Sequence, residues 1–252
     1  MIKINSALRQ RVVDYYCLIY QRYLSRTQAI PIYTLKNNLV QKDIVNIVGS
    51  GVSAIETLVD TDDTQAFITC NLSIALRKFW DVVLVEYDAI PSFRRPLCKA
   101  LDQARCDVVL LKNNYLHGPI KDFNYYRNHK GIKELYILNE SQSQTAFDGV
   151  LEMIVDFLQE RDISLVRQYS SSVFTMIIIG LTLKPKILKL HGIDFGGESF
   201  YKKPEFKVFR PGALNHISEK GANVAGIGIR AELLQVKSLL ANYGIELIGH
   251  NL

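Results

Sequence analysis

The chain has 252 residues, of which 48% are hydrophobic, and a formal net charge of +5. This length and apolar content are enough to bury a large core within one domain. The most apolar stretch, Val173–Leu183, has about half the length that a membrane-spanning helix needs, which excludes an integral membrane protein. The N-terminus lacks the apolar core of a signal peptide, and the four cysteines form no Cys-x-x-Cys pair, so we expect a cytosolic protein with reduced thiols.

The first predicted element is a basic helical extension over residues 1–43. It carries seven Lys or Arg residues against two Asp, and five of the thirteen tyrosines. Apolar side chains recur at helical spacing over residues 6–25, and Pro31 ends this leader. A basic, tyrosine-rich helix suits an anionic membrane surface, an acidic partner or a nucleic acid. A helix packed on the domain with a solvated basic face is the alternative.

From residue 44 onward, short apolar runs alternate with helical segments. This alternation predicts an α/β domain over residues 44–252, with a mainly parallel, Rossmann-like sheet and helices on both faces. The predicted strands are Ile44–Val48, Ala66–Thr69, Val82–Val85, Val108–Leu111, Leu135–Leu138, Ile187–Leu190 and Ile245–Ile248. The predicted helices are Ser53–Val59, Leu72–Phe79, Phe93–Ala104, Phe147–Glu160, Ser172–Leu183 and Arg230–Tyr243. Residues 113–133 and 192–228 lack clear periodicity, as expected of lids or binding loops.

A glycine-rich stretch, Gly49-Ser50-Gly51, lies between the first predicted strand and a helical segment. Glycines let the backbone turn tightly, and the free N–H groups of a helix start favour an anion, so we expect this stretch to bind a phosphate. An NAD(P)-dependent oxidoreductase would also need an acidic residue at the end of the second strand. That residue is Asn71. The stretch therefore indicates a nucleotide site and leaves the oxidoreductase as an alternative.

A second informative block runs from Tyr169 to Phe195. Its three serines, Ser170, Ser171 and Ser172, start an apolar helix, where they suit an anion or the carboxylate of a sugar. A plain helix cap is the alternative for these serines. The strand Ile187–Leu190 then delivers Gly-Ile-Asp-Phe, ending at Phe195, where ligands collect in open α/β sheets.

These blocks together resemble the bacterial sialyltransferases of glycosyltransferase family forty-two. That family has an opening loop of the Asn-Gly-Pro-Ser-Leu type, an Arg-Cys-Asn segment on the second strand, and a Thr-Ser-Gly-Val helix followed by Ser-Gly-Ile-Asp-Phe. The corresponding residues here are Ser50–Ala54, Thr69–Asn71, Ser170–Val173 and His191–Phe195. The resemblance runs in order through residues 44–250.

The resemblance implies a GT-A-like single nucleotide-binding domain. Its activity would be the transfer of sialic acid from CMP-sialic acid to a sugar hydroxyl, with inversion and without a metal or other cofactor. Asn71 matches a nucleotide-contacting asparagine, and Tyr201 lies near a phosphate-binding tyrosine, whereas Asp88 and Ser50 stand where the family has asparagine. The implied donor-binding residues are Gly49, Ser50, Gly51, Asn71, Asp88, Arg167, Ser170, Ser171, Ser172, Asp194 and Tyr201.

The catalytic base implied by the family is a histidine. When the last predicted helix is aligned with the family, Ile227 occupies the position of this histidine. His216, which lies in the same irregular stretch over residues 192–228, is therefore the candidate base. A histidine that titrates near neutral pH can take the proton of an acceptor hydroxyl. Arg167 can pair with the carboxylate of the donor. His191, at a predicted strand end, is expected to be structural.

Other residue patterns do not indicate a metal site or a hydrolase. Asp60 and Asp62 have the spacing of a metal-binding pair, but they lie in a polar turn, where carboxylates are expected to be solvated. No Cys/His cluster has zinc spacing, and the Gly-x-Ser-x-Gly pattern of hydrolases is absent.

The sequence thus predicts a cytoplasmic, CMP-sugar-dependent glycosyltransferase that acts with sialic acid or a related nonulosonic or Kdo-type sugar. The expected acceptor is a bacterial surface glycan of the lipopolysaccharide or capsule kind, or a lipid-linked saccharide. We expect residues 6–25 to contact the anionic inner membrane. We expect no nucleic acid to be bound. The sequence does not decide whether the chain forms a homo-oligomer. A catalytically silent subunit with this fold is a further alternative, favoured by the missing histidine at Ile227.

Overall fold

A computed structural model describes residues 41–58, 64–86, 91–113, 123–139, 154–156, 158–159, 171–195, 198–211, 219–250 and 252. The predicted helix over residues 6–25 and most of the predicted helix Phe147–Glu160 lie outside these ranges, and the domain boundary after residue 43 stays a prediction. None of the helices within the described ranges combines the length and the apolar character needed to cross a bilayer.

Seven strands form one parallel sheet. They are β1 (Ile44–Val48), β2 (Ala66–Cys70), β3 (Phe79–Val85), β4 (Arg105–Asn113), β5 (Ile132–Asn139), β6 (Ile187–His191) and β7 (Glu246–Gly249). Their order across the sheet is β5-β4-β3-β2-β1-β6-β7, and each described pairing is parallel. All seven predicted apolar runs form strands, and the predicted α/β, Rossmann-like fold class is confirmed.

The helices within the described ranges agree less closely with the prediction. Those with defined bounds are α1 (Ser53–Thr57), α2 (Pro91–Asp102), α3 (Phe123–Arg127), α4 (Ser172–Leu181) and α5 (Glu219–Ala241), and residues 154–156 are helical as well. The last helix begins well before its predicted start at Arg230, because glycines in its first half weaken the helical signal. The stretches predicted to be irregular also contain α3 and two 3-10 turns, Phe200–Lys202 and Pro204–Phe209.

The predicted helix Leu72–Phe79 is wrong. The chain forms a 3-10 turn over Asn71–Leu76 and then enters β3. Arg77 is already extended, with φ −148° and ψ 153°, and the indole N–H of Trp80 lies 3.0 Å from the carbonyl oxygens of both Ile74 and Arg77. The apolar residues of this segment fit a helical spacing, but a buried Trp80 that bonds to the turn stabilises the tighter path.

Both faces of the sheet are covered. Val45 and Ile47 of β1 pack in one core with α4 and α5, whereas Val48 packs in a second core with α1 and α2. The whole of α4 from Val173 to Leu181 is buried. Strands that are buried on both faces are typical of parallel sheets. A ligand therefore approaches this sheet at the ends of its strands.

A buried histidine joins the two central strands to α1. The Nδ1 atom of His191 lies 2.9 Å from Thr57 Oγ1, and its Nε2 atom lies 2.9 Å from Asn46 Oδ1. Because the amide nitrogen of Asn46 donates to the carbonyl of Ala66, the Oδ1 atom accepts from the Nε2–H group. Burial, and then the nearby Lys189 ammonium, lower the pKa of His191 to about 4. The imidazole is therefore neutral at pH 7 and has a structural role.

Acidification is predicted to destabilise the fold through His191. Its pKa is about 4 in the folded chain against 6.5 for an unperturbed histidine, so the unfolded chain binds the proton first. The contribution of the neutral imidazole is present above pH 6.5 and is lost as the pH falls toward 4, by up to about 3 kcal/mol. Urea unfolding at about pH 7.5 and about pH 4.5 measures this loss.

The matched variants for this measurement are His191→Gln and His250→Gln, the second at an exposed histidine. The loss of stability between the two pH values should shrink in His191→Gln and persist in His250→Gln. An unchanged pH dependence in His191→Gln would contradict the assignment.

Candidate functional site at the carboxyl edge of the sheet

The predicted site residues that the structure describes lie at one edge of the sheet. Parallel strands end at the same edge, and β1 is flanked there by β2 on one side and β6 on the other, so the strand order reverses at β1. Such a switch point is where ligands bind in open α/β sheets. The residues that follow a strand end or begin a helix at this edge are Gly49, Ser50, Gly51, Asn71, Ser171, Ser172, Asp194 and Tyr201.

The loop after β1 packs directly on the loop after β6. The amides of Gly49 and Gly51 donate to the carbonyls of His191 and Gly192, at 2.8 Å each. A Cβ atom on Gly51 would lie 2.7 Å from the Gly192 carbonyl oxygen and would also collide with the Asp194 carboxylate. Gly192 has a φ of +63°, which favours glycine. Close packing of two backbone segments thus requires these glycines, and their role in phosphate binding stays a prediction.

The carboxylate of Asp194 caps the start of α1. One oxygen accepts from the Ser53 amide at 3.0 Å, and the other accepts from the Ser53 hydroxyl. Phe195, the next residue, has a φ of +50°, a strained conformation for a bulky side chain. The amide at which the sequence predicts a ligand phosphate therefore donates to the chain's own carboxylate. Donor binding by Asp194 itself stays a prediction.

The segment after β6 returns to the loop after β1. The Phe200 amide donates to the carbonyl of Ser50 at 2.9 Å, and the Val52 amide donates to the carbonyl of Glu198 at 2.7 Å. The ring of Phe200 is buried and meets that of Tyr201 edge-on, with 5.4 Å between centroids. Ser50 is exposed and Tyr201 is half-buried, so both side chains keep surface that a ligand can reach.

A second polar group lies where β2, β3 and β4 end. The carboxylate of Glu86, directly after β3, accepts from Lys112 Nζ at 2.9 Å, from the Ser172 hydroxyl and from Asn71 Nδ2 at 3.5 Å. The Glu86 amide donates in turn to Asn71 Oδ1 at 2.8 Å. The side chains of Glu86 and Lys112 are each only 4% exposed. Three donors from three elements therefore converge on one buried carboxylate.

Burial explains why these groups are paired. An isolated charge in an apolar interior is unfavourable by several kcal/mol, and an opposite charge with further hydrogen bonds offsets this penalty. Burial, and then the negative charge of Glu86, raise the pKa of the neighbouring Cys70 thiol to about 12. The thiol is therefore protonated at pH 7. Asn71 has a φ of +50°, which asparagine tolerates better than most residues.

The two described serines at the start of α4 have different roles. Ser171 is the N-cap residue, and its hydroxyl oxygen accepts from the Val173 amide at 3.4 Å. Ser172 donates its hydroxyl to Glu86. The helix start thus combines an ordinary cap with a contact to a carboxylate.

Glu86 and Lys112 belong to none of the sequence motifs, although the sequence holds a signal for them. Each charged residue directly follows an apolar run, one on the third and one on the fourth predicted strand. In the parallel register Val85 lies opposite Leu111, so the next residue of each strand is a neighbour of the other. Opposite charges at adjacent ends of parallel strands could therefore have predicted the pair.

Several predicted features lie outside the described residues. Among the site residues these are Asp88, Arg167, Ser170 and His216, and the Asp60–Asp62 pair and the side chain of Ile227 lie outside as well. The roles of these residues stay predictions. Within the described part of the chain, no three His, Cys, Asp or Glu side chains are grouped so that they could hold a metal ion.

The comparisons with known proteins return solved structures only. No family model and no curated protein matches the chain. The chain is similar to the sialyltransferase CstII from Campylobacter jejuni in complex with cytidine-5'-monophosphate, at 15% identity and a TM-score of 0.41, over 84% of this chain and 81% of that one. It is also similar to the monofunctional alpha-2,3-sialyltransferase Cst-I from Campylobacter jejuni, at 16% identity and a TM-score of 0.42, over 84% and 78% of the two chains.

The contact between the two glycine loops generates a stability prediction. Gly51→Ala should destabilise the fold by about 1–3 kcal/mol, because the new Cβ atom forces the loop after β1 away from a backbone carbonyl. Gly228→Ala is the matched control, since a Cβ atom there meets nothing within 4 Å and the position lies in α5. It should stabilise the chain by about 0.5–1 kcal/mol. Urea unfolding measures both changes, and equal effects of the two substitutions would refute the packing argument.

Proposed function

We propose that the chain is a CMP-sugar-dependent glycosyltransferase of the sialyltransferase type. It transfers an acidic sugar, either sialic acid or a related nonulosonic or Kdo-type sugar, to a hydroxyl of a cell-surface glycan or a lipid-linked saccharide. The observation that supports this most is the grouping of the motif residues at the carboxyl edge, where folds of this class bind nucleotides. These residues are Gly49, Ser50, Gly51, Asn71, Ser171, Ser172, Asp194 and Tyr201.

The phosphate of CMP is proposed to bind near the switch point between β1 and β6. Ser50 and Tyr201 are brought together there by the hydrogen bond between Phe200 and Ser50, and both keep exposed surface. Negative charge grows on the phosphate as CMP leaves, so hydroxyl donors at this place stabilise the transition state. Arg167, placed by the sequence motif alone, is proposed to pair with the carboxylate of the sugar.

The transfer is proposed to be one inverting displacement without a metal. The acceptor oxygen attacks the anomeric carbon while the bond from that carbon to the phosphate oxygen breaks. His216 takes the proton of the acceptor hydroxyl, as the imidazole of a general base does. The electron pair of the broken bond remains on CMP.

A cytoplasmic location with contact to the inner membrane is part of the proposal. Residues 1–43 hold seven basic residues and two acidic ones, and a basic segment is attracted to anionic lipids. The membrane-bound fraction of the chain should fall when residues 1–40 are deleted, and an unchanged fraction would remove this part.

A catalytically silent subunit is the second candidate. Two of the motif residues, Asn71 and Ser172, are already bonded to Glu86 and have fewer groups available to a substrate. No comparable observation favours an NAD(P)-dependent oxidoreductase. Asn71 replaces its acidic residue, and Asp194 bonds to the amide at the start of α1, where a pyrophosphate would bind.

Calorimetric titration with CMP, beside UMP, GDP and NADH, tests the proposal. We expect CMP to bind selectively, and Asn71→Ala to weaken its binding about tenfold or more, equivalent to about 1.4 kcal/mol. Asn242→Ala, at an exposed asparagine after α5, is the matched control and should bind CMP as the native chain does. Thermal melting of both variants establishes that each is folded.

The other outcomes separate the alternatives. Selective binding of NADH would favour the oxidoreductase, and no binding of any nucleotide would contradict the transferase. If CMP binds but neither the native chain nor His216→Ala transfers sugar to any acceptor, the silent subunit is the better account.

A further inference from the structure

The protein holds the carboxylate of Glu86 in the way that it would hold a small ligand. Its Oε1 atom accepts from Lys112 of β4, and its Oε2 atom accepts from Ser172 of α4 and from Asn71 after β2. All three donors belong to elements other than β3, directly after which Glu86 lies. Asn71, Glu86 and Lys112 are each about 95% buried, with 5% of their surface exposed. A buried ammonium, an amide and a hydroxyl that converge on one point form a receptor for a carboxylate.

The position of this receptor matters as much as its chemistry. It includes Asn71 and Ser172, to which the sequence motifs assign the binding of an acidic sugar nucleotide. Both of these side chains now bond to a carboxylate that belongs to the chain. The Lys112 ammonium, which could attract an anion, is paired with the same group at 2.9 Å.

We propose that Asn71, Lys112 and Ser172 form a carboxylate-binding subsite and that Glu86 is its built-in occupant. Glu86 is thereby a specificity-determining residue, because it keeps the carboxylate of any ligand out of this subsite. The acidic group of a bound substrate must then be recognised elsewhere at the carboxyl edge. The specificity role of Glu86 rests on the proposed function, whereas the subsite is defined by the contacts alone and is tested without a nucleotide.

Two physical effects explain why Glu86 excludes an external carboxylate. Glu86 is tethered, and its amide is fixed by the 2.8 Å hydrogen bond to Asn71 Oδ1, so its carboxylate is present at a high effective concentration. A second carboxylate at the same place would also be repelled by the first, because one Lys112 ammonium neutralises only one of them. Removing the side chain of Glu86 removes both effects and leaves the three donors without the acceptor that they now share.

The test is a rescue of Glu86→Ala by acetate. The atoms that this substitution removes beyond Cβ, a methylene carbon and a carboxylate, have the size and charge of acetate. We expect sodium acetate or formate to raise the melting temperature of Glu86→Ala above its value in sodium chloride of equal ionic strength. Above the dissociation constant the rise should grow with the logarithm of the acetate concentration, and it should reach about 3–5 °C at roughly ten times the dissociation constant. Benzoate, which is too large for the space, should not raise it.

Three proteins serve as controls for the acetate experiment. The native chain and Glu86→Gln keep the subsite filled, and Glu86→Ala combined with Lys112→Met keeps the space but lacks the cation. None of them should respond to acetate more than to chloride. An equal response in all four proteins, or no specific response in Glu86→Ala, would overturn the proposal.

The experiment remains decisive if Glu86→Ala is unfolded in chloride. The measured quantity is then the recovery of folded protein on refolding in acetate against chloride. A recovery that acetate increases for Glu86→Ala, and not for the variant with Lys112→Met, supports the subsite. Equal recoveries overturn it. Because the nucleotide titration on the native chain is separate, failure of one proposal is distinguishable from failure of the other.

Discussion

The buried pair of Glu86 and Lys112 is the constraint on which the carboxyl edge depends. Neither charge can leave water alone at an acceptable cost, so each needs the other at hydrogen-bond distance. Their separation of 2.9 Å is reached only when β3 and β4 lie in the observed register, with Val85 opposite Leu111. Ser172 and Asn71 then complete the bonding of the carboxylate. One charge thus links the ends of β2, β3 and β4 to the start of α4.

At the other half of the carboxyl edge, a second carboxylate of the chain bonds to the start of a helix. Asp194, after β6, bonds to the amide and the hydroxyl of Ser53 at the start of α1, and Gly51 and Gly192 provide the close approach that this contact requires. Two helix starts that the sequence assigns to a ligand anion therefore contact carboxylates of the chain. An anionic ligand at this edge would consequently find its hydroxyl partners among other groups, of which Ser50 and Tyr201 keep exposed surface. This is why the charge of Glu86 bears on substrate selection.

Much of the fold could be predicted from the sequence, because the strands of a parallel sheet that is buried on both faces are short, mainly apolar runs. Strand β1 buries Val45 and Ile47 on one face and Val48 on the other, so four of its five residues are apolar, and the exception, Asn46, bonds to His191. The segment Leu72–Phe79 was misassigned because its apolar spacing suits a helix, whereas the hydrogen bonds of Trp80 that decide its path come from the next strand. The spacing of apolar residues within a segment gives no information on hydrogen bonds from the next element.

The candidate site was predicted in part for a related reason. The glycines and serines can be recognised from the sequence, because glycine favours tight turns and serine caps helices. The structure brings the described ones to the carboxyl edge of the sheet. Glu86 and Lys112 can be recognised as site residues only as a pair. Recognising the pair requires the register between β3 and β4.

The measurement that most directly tests the central claim is a double-mutant cycle on the buried pair. The free energy of unfolding would be determined for the native chain, Glu86→Gln, Lys112→Met and the double variant. The same cycle on the exposed pair Asp43 and Lys186, whose charged atoms lie 3.0 Å apart, is the control. The account predicts a coupling of about 2 kcal/mol or more for the buried pair and less than about 1 kcal/mol for the exposed pair. A coupling that is as small for Glu86 and Lys112 as for the exposed pair would contradict it.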